Sequence, residues 1–253
     1  MTSIACLEAA AAEGWRAPEE ARLGHWLLRA ADGFTGRANS ALAIGDPGMP
    51  LDAAITQVCR WYRARGLPPM IAVPYPRDRP QDAAVDAGLA EAGWPVRAGA
   101  ATVMTAVTPA VAAQVRAGDV RVDLDAEPDE GWLARYQYRG LRLPAIARRL
   151  LMSAPWQSFA SVRETGHTIA VGRVAVAGEW AGLTAIEVDP RHRRRGLGRA
   201  VTGALAAAAA EHGAQGLYLQ VQNDNSAARA LYQGLGFVSH HGYHYRVAPA
   251  ALS

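Results

Sequence analysis

The residues best equipped for chemistry lie between Ile186 and Arg199, in the run Ile-Glu-Val-Asp-Pro-Arg-His-Arg-Arg-Arg-Gly-Leu-Gly-Arg. An alternating, strand-like stretch enters a turn at Asp189-Pro190. The loop that follows leads into a helix whose apolar stripe is Leu197, Val201 and Leu205. N–H groups at a helix start have no intrahelical acceptor and sit at the positive end of the helix dipole, so they attract phosphate oxygens. Gly196 and Gly198 carry no side chain that would hold a phosphate off that backbone. Arg193, Arg194, Arg195 and Arg199 add charge-assisted donors around it. The run thus predicts a site for a diphosphate carried on a nucleotide, with a solvated glycine-arginine turn as the alternative. It is not the three-glycine dinucleotide fingerprint, nor the phosphate loop of ATPases, which needs a lysine.

A second run, Asn225-Ser-Ala-Ala-Arg-Ala-Leu-Tyr-Gln-Gly-Leu-Gly-Phe237, predicts a helix capped by Asn225. Ala228 and Tyr232 are four apart and share a helix face, with Ala228 small enough to admit a ligand beside Tyr232. Taken alone, Tyr232 is a core residue as readily as an acid. Leu231, Leu235 and Phe237 are expected to pack inward.

Together the two runs resemble the GNAT superfamily of N-acetyltransferases. Arg193, Gly196 and Gly198 match its cofactor motif, and Asn225, Leu231-Tyr232 and Gly236-Phe237 match its second motif. The resemblance is clear from Trp180 to Phe237 and is most similar to tandem actinobacterial members; Ile186 to Pro190 also resembles ribosomal-protein alanine acetyltransferases. It implies an enzyme that moves an acetyl group from acetyl-CoA, as co-substrate, to a primary amine of a small molecule or of a protein N-terminus or side chain by direct attack; the alternatives are an acyltransferase using another acyl-CoA and a non-catalytic CoA-binding module. It also implies roles. The backbone of Ile186, Glu187 and Val188 would pair with the pantetheine arm and place an N–H at the thioester oxygen. Arg194 to Arg199, including Leu197, would hold the pyrophosphate. Asn225 and Ala228 would line the pantetheine. Tyr232 would protonate the departing thiolate, a task suited to a phenol with an ordinary pKa near 10.

The base is less plain. Alanine acetyltransferases carry a glutamate where this chain has Gln220, which cannot take a proton. Glu187 is the nearby carboxylate, although strand alternation with Ile186 and Val188 turns its side chain to the other face. His240, His241 and His244 offer a proton relay, as does water; a zinc site among them lacks further ligands. Trp132, Tyr136, Tyr138 and Trp156, with Asp123, Asp125, Glu127, Asp129 and Glu130, are either an amine-attracting surface or an acidic turn over core aromatics.

The elements that must position these residues alternate along the chain, which predicts a mixed α/β sheet. Strands are expected over 26–29, 38–44, 70–73, 100–107, 120–125, 157–164, 167–176, 180–188, 217–221 and 243–247. Helices are expected over 51–62, 81–92, 130–138, 144–152, 198–211 and 226–234. Residues 108–118 read as a linker. Both halves close on a helix ending in glycine and an aromatic residue, Gly93-Trp94 and Gly236-Phe237, which suggests an internal duplication. The expected organisation is tandem GNAT-like domains, each a mixed sheet flanked by helices: a degenerate one over 1–112 and a catalytic one over 113–253. The first lacks the arginine triplet and the Gly-x-Gly entry, and has Gly88 rather than a tyrosine before Leu89.

Composition narrows the remaining classes. All 26 basic residues are arginine, yet the net charge is only +3, without the excess expected of a nucleic-acid binder. The 2 cysteines, Cys6 and Cys59, are too few for a disulfide framework. No secretory signal or membrane-spanning run is legible, so the expectation is a cytoplasmic protein, monomer or homodimer, with no nucleic-acid, membrane or metal partner.

Overall fold

In a computed structural model, which describes residues 2–77, 84–114, 120–137 and 142–249, the elements run α1 (Ile4–Glu13), β1 (Glu19–Leu23), β2 (Trp26–Ala30), β3 (Ala41–Leu42), α2 (Leu51–Arg63), β4 (Met70–Pro76), α3 (Ala84–Glu91) and β5 (Ala101–Val107). They continue with α4 (Thr108–Ala112), β6 (Asp123–Asp125), α5 (Glu130–Arg135), α6 (Ile146–Leu151), β7 (Trp156–Glu164), β8 (His167–Ala177) and β9 (Trp180–Val188). The last are α7 (Leu197–Glu211), β10 (Gly216–Gln222), α8 (Ser226–Gln233) and β11 (Val238–Val247). The start of the helix expected at Gln81, most of the expected linker beyond Gln114, and Tyr138 lie outside the described residues. The fold is the expected mixed α/β class.

The chain forms two compact units that do not follow sequence order. Unit 1 takes Met1–Val103, Gln222–Asp224 and Ser239–Ser253; unit 2 takes Met104–Val221 and Asn225–Val238. In unit 1 the strand order is β1-β2-β3-β4-β11. β11 runs antiparallel to β4 from His241↔Pro76 to Val247↔Met70. Helix α2 buries Ile55, Val58, Cys59 and Tyr62 at helical spacing, and the Tyr62 hydroxyl donates to Arg29 O at 2.9 Å. Gly66, at φ +65°, follows the end of the helix, as its position predicts.

Unit 2 holds β10-β9-β8-β7-β6, with β9 parallel to β10 and the other pairs antiparallel. From Met104 on, β5 belongs to this unit beside β10. Helix α7 lies on the sheet where β8 has a glycine. A Cβ on Gly172 would stand 2.6 Å from Val201 Cγ1 and 2.9 Å from Leu205 Cδ1. The core beneath gathers Val174, Leu183, Leu197, Val201, Leu205, Leu219, Tyr232 and Phe237.

Several elements differ from the sequence reading, each for a local reason. α1 is alanine-rich without a strong stripe, and β1, Glu-Glu-Ala-Arg-Leu, does not alternate; neither was legible. The stretch 38–44 shortens to β3 after a 3-10 turn at Arg37–Asn39. The start of the expected linker is α4, with Pro109 in its first turn and Val111 fully buried. No described helix is long and apolar enough to cross a membrane.

Candidate active site

The site is built at a break in a strand ladder. β9 pairs with β10 only from Trp180↔Gly216 to Leu183↔Leu219. β9 then continues to Val188 while still paired with β8. Between Thr184↔Arg173 and Glu187↔Val171, two residues of β9 face one of β8, which is a bulge. Ala185 takes it up at φ +54°, a left-handed conformation that costs an alanine about 1–2 kcal/mol. Past the bulge, the edge of residues 184–188 that faces away from β8 has no paired strand among the described residues. Backbone donors and acceptors there are open to an extended ligand.

The side chains beyond the bulge alternate. Ile186 and Val188 pack against the core under α7. Glu187 faces α5, where its Oε2 accepts the Gln137 N–H at 3.0 Å and its Oε1 lies 3.8 Å from Arg135 Nη2. Asp189, on the same face, is buried. It accepts Arg135 Nη1 at 2.9 Å, the Arg191 N–H at 2.9 Å, and Arg191 Nη2 at 3.0 Å. The Arg191 side chain, then its N–H, hold the Asp189 carboxyl well below the usual carboxylate range. Asp189 thereby fixes the turn 190–192 from which the arginine loop departs.

In that loop Arg193 has φ −62°, Arg194 +64° and Gly196 +77°. Arg193 is extended, with ψ 162°, so the loop reverses at the two left-handed residues. No side chain caps α7 and its first turn holds no acid. In the same unit α5 is capped by Asp129 and α8 by Asn225. The two loop glycines serve different ends. A Cβ on Gly196 would meet nothing within 4 Å, so the residue is there for its φ; a Cβ on Gly198 would stand 3.1 Å from Leu231 Cδ2, so that glycine lets α7 approach α8.

The arginines divide as well. Arg195 is bidentate on Glu164 at 2.7 and 3.0 Å, which raises its pKa and lowers that of Glu164. Arg199 donates to Gln114 Oε1 and Gly234 O, each at 3.2 Å. Arg193 and Arg194 are exposed, and neither side chain has a partner among the described residues. Leu197 is buried, anchoring the helix start.

On α8, the exposed Asn225 accepts the Ala228 N–H on Oδ1 at 3.0 Å. Ala228 is half-buried on the face of Tyr232. The Tyr232 ring is 8% exposed and meets Phe237 edge-on, centroids 5.7 Å apart. Its hydroxyl bonds to no other described residue, and burial pushes its pKa up to about 12.

Other expected contributors stand elsewhere. His240, His241 and His244 belong to β11 in unit 1. There His241 meets Glu8 at 2.9 Å and His244 meets Asp86 at 2.6 Å. Trp132 is buried and donates to Ala160 O, and Trp156 stacks on His212, beyond the far end of α7. Arg163 reaches Asp123 and Asp129, and Arg148 reaches Glu127, so these carboxylates are paired. Asp189, Arg135 and Glu164 were missed by the sequence reading; the only sequence cue was the Asp-Pro turn.

A cavity of about 750 Å³ opens beside this network, lined on one side by Arg135 and Gln137 and on the other by Glu164, His167, Thr168 and His192. Arg135 Nε and His192 Nδ1 are buried there without a hydrogen-bond partner.

Comparison with known proteins bears on family and fold. Residues 2–246 match the family model described as "Probable histone acetyltransferase Rv0428c C-terminal". The chain is 28% identical over 252 residues to "Uncharacterized N-acetyltransferase YobR" of Bacillus subtilis, covering 98% of this chain and 99% of that one. It is 32% identical over 262 residues to "Probable histone acetyltransferase Rv0428c" of Mycobacterium tuberculosis, covering 98% of this chain and 74% of that one. A solved GCN5-related N-acetyltransferase from Kribbella flavida shares the fold, with TM-score 0.75 at 17% identity over 99% of this chain and 97% of that one.

Proposed function

The chain belongs to the family described as "Probable histone acetyltransferase Rv0428c C-terminal", within the GNAT superfamily, and on that footing we propose that it transfers an acetyl group from acetyl-CoA to a primary amine. The observation that carries this reading is the uncapped start of α7 beside a strand edge left open by the bulge at Ala185. The loop N–H groups, with Arg193 and Arg194, suit a pyrophosphate. Arg195 and Arg199 would brace the loop through Glu164, Gln114 and Gly234. The backbone of Ile186 to Val188 would take the pantetheine arm and turn one N–H to the thioester oxygen, stabilising the oxyanion. Asn225 would donate its amide NH2 to the same arm.

In the reaction, Glu187 takes a proton from the ammonium form of the acceptor. The freed amine nitrogen attacks the carbonyl carbon, the C–N bond forms, and the C–S bond breaks. The CoA thiolate then takes the Tyr232 proton, and the second proton of the amine leaves the new amide nitrogen and returns through water to restore the phenol. A phenol raised to about 12 stays protonated at neutral pH and gives its proton only to a strong base formed beside it.

We propose as well that 1–112 and 113–253 descend from one duplicated unit. Leu89 O accepts the Trp94 N–H at 2.9 Å, and Tyr232 O accepts the Phe237 N–H at 3.0 Å. This pattern aligns Leu89 with Tyr232, one residue from the sequence match. A leucine there has no proton to give. Asp52 in the first turn of α2 repels phosphate, so the first half reads as non-catalytic.

The test is isothermal titration with acetyl-CoA, then turnover with a lysine peptide and a peptide with a free N-terminal alanine. One site per chain is expected. Gly196→Ala should weaken binding by more than its backbone strain of about 1–2 kcal/mol implies. Two equivalent sites, or no turnover of any amine, would overturn the proposal. The chain has no lysine of its own, so acetyl-lysine found after reaction belongs to the acceptor.

A further inference from the structure

Glu187 and Asp189 lie two residues apart and present their carboxylates to the same helix end. Arg135, the last residue of α5, stands between them. Its Nη1 is 2.9 Å from Asp189 and its Nη2 is 3.8 Å from Glu187, while Gln137 N–H holds the other oxygen of Glu187 at 3.0 Å. Residues 135–137 therefore hold one oxygen of Glu187 by a hydrogen bond and set a guanidinium beside the other. The same guanidinium reaches the aspartate that starts the arginine loop. Arg135 and Asp189 are 17% and 5% exposed, which strengthens the pair over a surface one. A planar fork can span two carboxylates at fixed angles; an ammonium cannot.

We propose that Arg135 is a positioning residue. It holds Glu187 in the orientation that accepts the amine proton, and ties that orientation to the root of the pyrophosphate loop through Asp189. This rests on the acetyltransferase reading and on Glu187 as its base. Asp189 keeps Arg191 N–H and side-chain contacts when Arg135 is lost, so the loop itself survives. The role of Arg135 thus lies on the acceptor side rather than in holding acetyl-CoA.

The test is a double-mutant cycle in the full chain, with Arg135→Met, Glu187→Gln and both together. Turnover is read with whichever of the two peptides is acetylated, alongside acetyl-CoA affinity by titration and the thermal midpoint. Arg135→Met should lower kcat by about 10–100-fold, the scale of a misplaced reacting group, and change the acetyl-CoA Kd less than threefold. In the Glu187→Gln background the same change should cost little more. Arg135→Lys should recover only part of the loss. Equal losses in both backgrounds, or a loss of acetyl-CoA affinity matching the loss of turnover, would overturn the proposal. An active Glu187→Gln variant would remove the base and with it the positioning role. A wild-type chain that acetylates no amine would instead fail the functional reading.

Discussion

Replacing Tyr232 by Phe removes one oxygen and leaves the ring, so the structure allows its kinetic and stability effects to be worked out separately. The ring stays in the same core contacts, including its edge-on packing with Phe237 at 5.7 Å. The lost hydroxyl has no partner among the described residues. That hydroxyl is not among the buried polar atoms left without a partner, so it reaches solvent, and its removal should leave stability nearly unchanged. The thermal midpoint should hold within about 2–4 °C, the shift that 1 kcal/mol would give. Turnover should fall. A phenol raised to about 12 is ionised at pH 7 in only about one molecule in 10⁵. It is a proton donor across the working range, and its loss should cost about 10²–10⁴-fold. That is about 2.7–5.5 kcal/mol of transition-state stabilisation. CoA release measured with a thiol reagent, and the midpoint, should be read on one preparation. Near-normal turnover with a lowered midpoint would refute the reasoning, because Tyr232 would then be a packing residue alone.

Two further outcomes follow from packing and charge. Gly172→Val should lower stability by about 1–3 kcal/mol through overpacking, because even a Cβ would fall 2.6 Å from Val201; thermal melts check this, and an unchanged midpoint would contradict the placement of α7 on β8. Asp86 is held below its ordinary pKa by Arg246, then by His244, so its contribution to stability is present above about pH 4 and is lost as pH falls through the lower folded value. Asp86→Asn should cost about 1–3 kcal/mol at pH 7, with the gap to wild type closing below pH 4 in melts run across pH.

The parts legible in the sequence are those set by local chemistry. The alternation of 180–188, the start of α7 at the glycines and the cap of α8 by Asn225 depend on residues within a few positions of each other. The unread parts depend on distant partners. Arg195 looks like a phosphate ligand until Glu164, from the preceding hairpin, takes its guanidinium. Asp189 reads as a turn residue until Arg135 is placed beside it. The bulge escaped because its left-handed residue is Ala185, where a glycine would have marked it. The three histidines near the last strand read as a proton relay, and strand pairing carries β11 to β4 instead.

That pairing has a consequence for how the chain is made. β4 leaves the ribosome long before β11, because all of Met104–Val238 is translated between unit 1 and the strand that completes it. At about 5–20 residues per second, the roughly 170 residues between Pro76 and Val247 keep the edge of β4 waiting about 8–34 s for its partner. During that interval unit 1 presents an open strand edge of the kind that recruits other chains. Synonymous codon changes that slow translation of Met104–Val238 should therefore reduce soluble yield, even though the finished protein is identical.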